Sequence, residues 1–191
     1  MKNRQVLETI YYAWTGLPWV ELLVASSAHG LVAVSFVEGV RTEESLQRLR
    51  KIHPNAELTE SKEQNGRVIE ELTAYAKGRL RNFTVPLDLR GTVFQKLVWE
   101  ALMKIPYGET RTYADIARQV GRPKAFRAVG LVNHSNPIAI VVPCHRVIGS
   151  NGGLCGYGGG VALKESLIKH ERQERDSIPQ EDAAERASLL R

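Results

Sequence analysis

The apolar run Ile138–Val142 ends on Pro143-Cys144-His145-Arg146, and six of the nine residues from 152 to 160 are glycine. A run this apolar is buried, so the fold must deliver a cysteine and a histidine at the end of a core segment. The glycines that follow let backbone pass close to whatever that cysteine meets. Pro143 fixes the chain just before the thiol, and two side chains able to carry positive charge come just after it. Nearby cations lower a thiol pKa and favour the nucleophilic thiolate. The bland alternative is a cysteine acting as a small core hydrophobe. His145 is chemically suited to relay a proton for Cys144, with a carboxylate to orient it. Asp115, Glu165 and Glu171 are all open for that role. A structural zinc site would need four ligands at recognisable spacing, and two cysteines with five scattered histidines do not supply it. The glycine segment lacks the Gly-Lys-Ser/Thr ending of a phosphate-binding loop and suits a pocket wall for a flat group near Tyr157.

The rest of the chain divides at about residue 90. Thr9–Ala13, Val20–Ser26 and Leu31–Val37 read as strands separated by hairpin-like turns. A charged helix is expected over Thr42–Ile52, capped by Thr42 and ended by His53-Pro54, and a second over about Lys62–Lys77, ended by Gly78. Phe83–Leu89 looks extended, as a linker or an edge strand. After Gly91 the pattern changes to helices on short loops: Thr92 to Met103, Tyr113–Val120 capped by Thr112, Lys124 to about Asn133, and Val161–His170. The fourth and fifth of these six helices, broken at Gly121-Arg122-Pro123, fit a helix-turn-helix. The expected organisation is an N-terminal domain over 1–90, a C-terminal domain over 91–171, and a charged, flexible tail over 172–191.

Charge follows the same division. Residues 1–90 hold 12 basic and 11 acidic side chains, whereas residues 91–171 hold 10 and 5. The positive excess of the second segment suits a polyanion. No apolar run approaches the roughly 18 residues of a membrane span, no signal-peptide order opens the chain, and two cysteines make no disulfide framework. The expected setting is the reducing cytoplasm.

These residues carry a family resemblance. Pro143-Cys144-His145-Arg146-Val147 resembles the active-site signature of the O6-alkylguanine-DNA alkyltransferases, the methylated-DNA–protein-cysteine methyltransferases. Over Gly91–Glu171 the same order of motifs continues: Phe94-Gln95, Val98-Trp99, Ile105 to Thr110, Tyr113 to Ala117, Ala128-Val129-Gly130, Asn136-Pro137, Gly156-Tyr157 and Lys169-His170-Glu171. Residues 1–90 match only in general texture.

The resemblance implies a fold and a function. The N-terminal part would be an α/β, ribonuclease H-like domain with a small antiparallel sheet and helices. The C-terminal part would be mainly helical, with a winged helix-turn-helix-like DNA-binding motif. Its members extrude an O6-alkylated guanine from duplex DNA and take the alkyl group onto a cysteine, here Cys144, in a single turnover. By motif position His145 is the base, working through a water; Glu171 orients it, and Asn136 tethers the active-site loop. Tyr113 falls where the family turns the 3′ phosphate, and Arg127 where an arginine enters the stack. Val147, Tyr157 and Gly158 would line the base pocket. No cofactor, no metal and no membrane partner are implied; the partner is double-stranded DNA containing O6-alkylguanine, met by a monomer, with cooperative binding left open. Gly158 replaces a serine found in some members, and Cys155 is a departure read as neutral. A lesion-sensing protein without alkyl transfer, a transcription regulator and a cysteine hydrolase are the rival readings.

Overall fold

The computed structural model describes residues 8–37 and 43–176. Three antiparallel strands, β1 (Glu8–Leu17), β2 (Val20–Ser27) and β3 (Gly30–Val37), form a meander on two tight turns. Helix α1 (Glu43–Ile52) then crosses one face of the sheet and feeds β4 (Ala56–Glu60), which lies beside β1 and parallel to it, giving the order β3-β2-β1-β4. The expected antiparallel sheet is therefore mixed. A crossover from one edge strand to the other re-enters in the original direction, and β3 already runs the same way as β1. Strand β4 escapes the sequence pattern because Glu57, Thr59 and Glu60 leave only Ala56 and Leu58 as its apolar signal.

Both faces of this sheet are covered, which is why Leu22–Ala25 and Leu31–Val34 read as unbroken apolar runs. Leu23, Ala25, Val32 and Ala33 face Leu49 of α1. On the other face Leu22, Val24, Leu31 and Val34 pack with Val68, Leu72 and Tyr75 of α2 (Gly66–Ala76). That second cluster continues without a break into Val98, Trp99 and Leu102 of α3 (Val93–Met103) and on to Cys144. The two segments read from the sequence thus share one core.

Two of the C-terminal helices start where side chains cap them. Thr92 and Gln95 form a reciprocal box at α3, and Thr112 and Asp115 do the same at α4 (Tyr113–Gln119). The chain turns at Gly121 into α5 (Phe126–His134). Short parallel strands β5 (Arg111–Thr112) and β6 (Val147–Ile148) pair behind the helix pair. Helix α6 (Gly160–Asp176) runs past the expected end at His170, so the tail read from residue 172 begins as helix; residues 177–191, and the proposed cap Thr42, lie outside the described residues. Helix α2 starts four residues later than expected because Asn65 is buried there, its amide bound to the carbonyls of Tyr11 and Ser61 and its carbonyl to Ser26.

Strand β3 is the edge that meets the rest of the molecule. Leu31 donates to Pro86 O (2.8 Å) and accepts from Asp88 N (2.9 Å), while Val34 donates to Pro137 O (2.9 Å) and accepts from Ala139 N (3.0 Å). The expected extended segment 83–89 is thus a brief partner of β3, and so is the start of the apolar run before Cys144. Gly30 permits the first of these contacts: its φ is +143°, and a Cβ there would lie 2.5 Å from the carbonyl oxygen of Pro86. Gly30→Ala is expected to lower stability by about 2–3 kcal/mol in urea unfolding, through strain and loss of the 86–88 contact. A change below about 0.5 kcal/mol would show that this edge is not a fixed seam.

Candidate active site

The run 138–142 is buried as expected, yet it is a coiled turn rather than a strand. Val142 N bonds to Ile138 O, and Ile140, with a φ of 69°, takes a conformation that β-branched residues rarely adopt. Asn136 holds this turn closed, accepting from Ile138 N (3.0 Å) and donating to Val142 O (2.8 Å). The chain then enters a single 3-10 turn, Cys144–Arg146, whose three side chains are all buried.

Behind that turn lies a buried carboxylate. Glu171 of α6 accepts five hydrogen bonds: Tyr75 Oη (2.8 Å), Gly108 N (3.0 Å), His145 Nε2 (2.8 Å) and two from Arg146 (2.8 and 2.9 Å). Burial pushes its carboxyl up, but the bonds and charges of His145 and Arg146 outweigh that and hold it well below the usual range. Gly108 reaches it with φ +74°, and a Cβ there would press to 3.0 Å from the backbone oxygen of Glu171. Arg146 also donates to Ile105 O (2.6 Å), so its charge is fully occupied.

This changes the electrostatic expectation for Cys144. Neither neighbouring side chain acts as the cation that activates the thiol. Arg146 is turned to Glu171, and burial lowers the His145 pKa and favours neutral imidazole. Burial pushes the Cys144 thiol up, opposed by the Asn136 amide, the Lys164 charge and the Tyr157 hydroxyl. With Nε2 on Glu171, His145 keeps a buried Nδ1 that has no protein partner.

Cys144, Asn136, Tyr157 and Gly158 line one cavity of about 350 Å³, walled on its far side by Phe36 of β3 and by α1. The Tyr157 ring rests 5.3 Å from that of Phe36, and its hydroxyl faces the sulfur. Tyr113 and Arg127 are not in this wall. They line an adjoining hollow with Phe126, Gly130, Cys155 and Gly156, at the exposed side of the helix pair. Gly156 borders both spaces. Val147 stands apart from both linings, fully buried in the β5–β6 ladder. Among the described residues no group of three or more His, Cys, Asp or Glu side chains could hold a metal ion.

Residues 10–89 match the ribonuclease-like domain, and residues 93–173 the DNA-binding domain, of the 6-O-methylguanine DNA methyltransferases. The chain belongs to this family. It is 48% identical over 162 residues to the methylated-DNA–protein-cysteine methyltransferase of Methanosarcina acetivorans, covering 85% of this chain and 98% of that protein. The Mycobacterium tuberculosis protein of the same name is 60% identical over 104 residues, 54% of this chain and 63% of that one. Among solved structures, the O6-methylguanine methyltransferase of M. tuberculosis superposes with a TM-score of 0.76 at 43% identity, over 87% of this chain and 94% of that one. Its complex with DNA gives 0.73 at 43% identity, over 86% and 94%.

Three parts of this methyltransferase site were not read from the sequence. Tyr75 and Gly108 meet Glu171 from distant segments, and no local pattern marks them. Lys164 had a signal: it shares with Leu163, Leu167, Ile168 and Glu171 the buried stripe of α6. It is wholly buried, and its ammonium donates to Val147 O (2.6 Å) and Cys155 O (3.3 Å), fastening the glycine-rich loop to β6.

Glu171→Gln leaves Arg146 buried without its counter-charge, and a loss of about 3–5 kcal/mol is expected on denaturant unfolding. The pH dependence of wild-type stability has a fixed sign. Glu171 is held below its unfolded value, so its contribution is complete above pH 4.5 and is lost as pH falls through the folded pKa. In Glu171→Gln the acid limb of a stability–pH curve should flatten; an unchanged limb would assign it to other carboxylates.

Proposed function

We propose that this protein repairs DNA by moving a methyl or larger alkyl group from O6 of guanine to its own Cys144. The observation that carries this reading is the placement of Cys144 on the wall of an open-mouthed cavity, next in the chain to His145 and its bond to the saturated Glu171 carboxylate. Family membership with the methylated-DNA–protein-cysteine methyltransferases supports the same reaction.

A base inside the stack keeps O6 out of reach of a buried sulfur, so the nucleotide must be extruded, at a cost of a few kcal/mol. Arg127 and Tyr113 sit at the exposed hollow beside the cavity and serve this step. Arg127 fills the stack as the base leaves, and Tyr113 turns the 3′ phosphate. The helix pair meets the minor groove, whose degenerate pattern suits a protein that must find damage anywhere.

In the cavity the Cys144 proton passes through a water to the unpartnered Nδ1 of His145, and Glu171 stabilises the imidazolium that forms. The sulfur electron pair then bonds to the alkyl carbon. The carbon–O6 bond breaks, its electrons stay with the guanine, and the guanine takes up a proton. Asn136 keeps the thiol-bearing turn in place, and Tyr157 and Gly158 shape the pocket for the base. The product is a thioether, so each molecule acts once. The protein works as a monomer in the cytoplasm, where its two free cysteines stay reduced.

Incubation with a duplex bearing one O6-methylguanine, followed by peptide mass mapping, is expected to add one methylene to the Cys144 peptide and none to the Cys155 peptide. Cys144→Ser should abolish the gain. Lesion binding by the wild type without any gain in mass would replace the repair reading with that of a damage sensor. The transfer rate should stay level through the ordinary imidazole pKa of about 6.5 and fall only at lower pH, because burial lowers the His145 pKa. A midpoint above 6.5 would contradict a neutral His145.

A further inference from the structure

Three of the four phenylalanines, Phe36, Phe83 and Phe94, pack against the main core cluster. Phe126 does not. It is the first residue of α5, is 47% exposed, and joins neither apolar cluster of the described residues. One exposed apolar side chain says little by itself, so its surroundings decide. The ring stands beside the guanidinium of Arg127, 5.9 Å from its centroid, and both edge the hollow of about 340 Å³ that also holds Tyr113. Gly130 lines the same hollow. A Cβ there would meet the Tyr113 ring at 3.9 Å, an ordinary contact, so packing does not demand this glycine and its bare backbone keeps the space open. Arg118, Arg122, Lys124 and Arg127 crowd the segment 118–127, which contains no acidic residue. Such a rim suits a polyanion rather than an apolar protein surface. The other exposed apolar side chain of α5, Leu131, lies roughly 140° away around the helix axis, so the two form no continuous docking patch.

Arg127 replaces the extruded base only within the gap it leaves. The neighbouring base step must still open, and the duplex must bend, before a helix can press so far into the minor groove. Minor-groove proteins achieve this by pushing an apolar side chain, phenylalanine among them, between adjacent base pairs. We propose that Phe126 is such a wedge: its ring enters the base step beside the lesion from the minor groove while Arg127 occupies the vacated position. This inference rests on the alkyl-transfer reading and adds a second element to its extrusion step. Burying the exposed ring between bases offsets part of the unstacking cost, and an aromatic face stacks on any base, so the wedge adds no sequence preference. Attraction between the ring and the neighbouring guanidinium keeps the two side chains together at the start of the helix, and they enter the duplex as a pair.

Two readouts test the wedge. In Cys144→Ser, which lacks the acceptor thiol, 2-aminopurine is placed in the base pair beside an O6-methylguanine, and its fluorescence, which rises on unstacking, is read at saturating protein. Adding Phe126→Ala is expected to remove roughly half or more of that rise. Single-turnover rates of methyl transfer to wild-type Cys144 are then measured on the duplex and on the corresponding single strand. They are taken as a ratio within each protein, so that any general loss of activity cancels. The single strand needs no opening, so Phe126→Ala should lower the duplex-to-strand ratio on the order of tenfold. Phe126→Leu keeps an apolar wedge and should recover most of that loss, whereas a purely structural role would slow both substrates alike. An unchanged ratio, an undiminished fluorescence rise, or a leucine variant as impaired as the alanine one would overturn the proposal. Absence of methyl on wild-type Cys144 with either substrate would overturn the alkyl-transfer reading as well, and is a separate result.

Discussion

A carboxylate buried in an apolar core is tolerated only when its lone pairs are matched, and Glu171 is matched from three other segments. Tyr75 comes from the N-terminal half, Gly108 from the turn after α3, His145 and Arg146 from the turn that carries the thiol, and Glu171 itself from α6. Leaving such an ion unpaired costs several kcal/mol, so these segments must dock together or not at all. The unbroken apolar cluster from the sheet to Cys144 imposes the same condition through area rather than charge. Assembly of the reactive site and docking of the two halves are therefore one event.

The N-terminal sheet has a direct part in the site. Its β3 edge, which would otherwise offer free backbone groups, is bonded by Val34 to the residues that begin the thiol-bearing turn. Further along the same strand, Phe36 supports Tyr157 and closes the cavity. The edge is thus protected by the segment it positions. Against this fixed wall, Arg127 stays exposed on α5, with its guanidinium 5.9 Å from the Phe126 ring and no ion-pair partner among the described residues. Rigid parts face the reacting atoms, and unanchored cations face the polyanion.

What could be read from the sequence followed the range of the interactions involved. Helices α3 and α4 were legible because their caps are local, three residues from donor to acceptor. Cys144, His145 and Glu171 were legible through the motif around them, yet residue spacing alone left three carboxylates open for His145. Arg146 shows the limit most clearly. Its position beside Cys144 suggested an activating charge, but a side chain that long can reach past its neighbour, and the deeper, stronger partner took it. Strand β4 was missed for a related reason: an edge strand with one covered face needs only two apolar residues, too few to register as alternation. Tyr75 and Gly108 depend on contacts between distant segments, which no local pattern encodes.

The network that prepares Cys144 for one transfer also leaves it without a way back. Regenerating the thiol would need a second nucleophile able to reach the carbon on sulfur. Around the cavity the candidates are already committed: Glu171 has all its lone pairs engaged, Lys164 is locked to two backbone carbonyls, and Asn136 closes the turn. His145 has an unpartnered nitrogen, which in the proposed mechanism takes the proton, and displacing a thiolate from an unactivated alkyl carbon is far harder than hydrolysing an acyl thioester. Cys155 is exposed at the neighbouring hollow, and its backbone oxygen is held by the buried Lys164 ammonium. The bonds that fix the thiol-bearing turn and the Glu171 carboxylate leave these groups committed to structure, so stoichiometric use follows from the same packing that makes the first transfer possible.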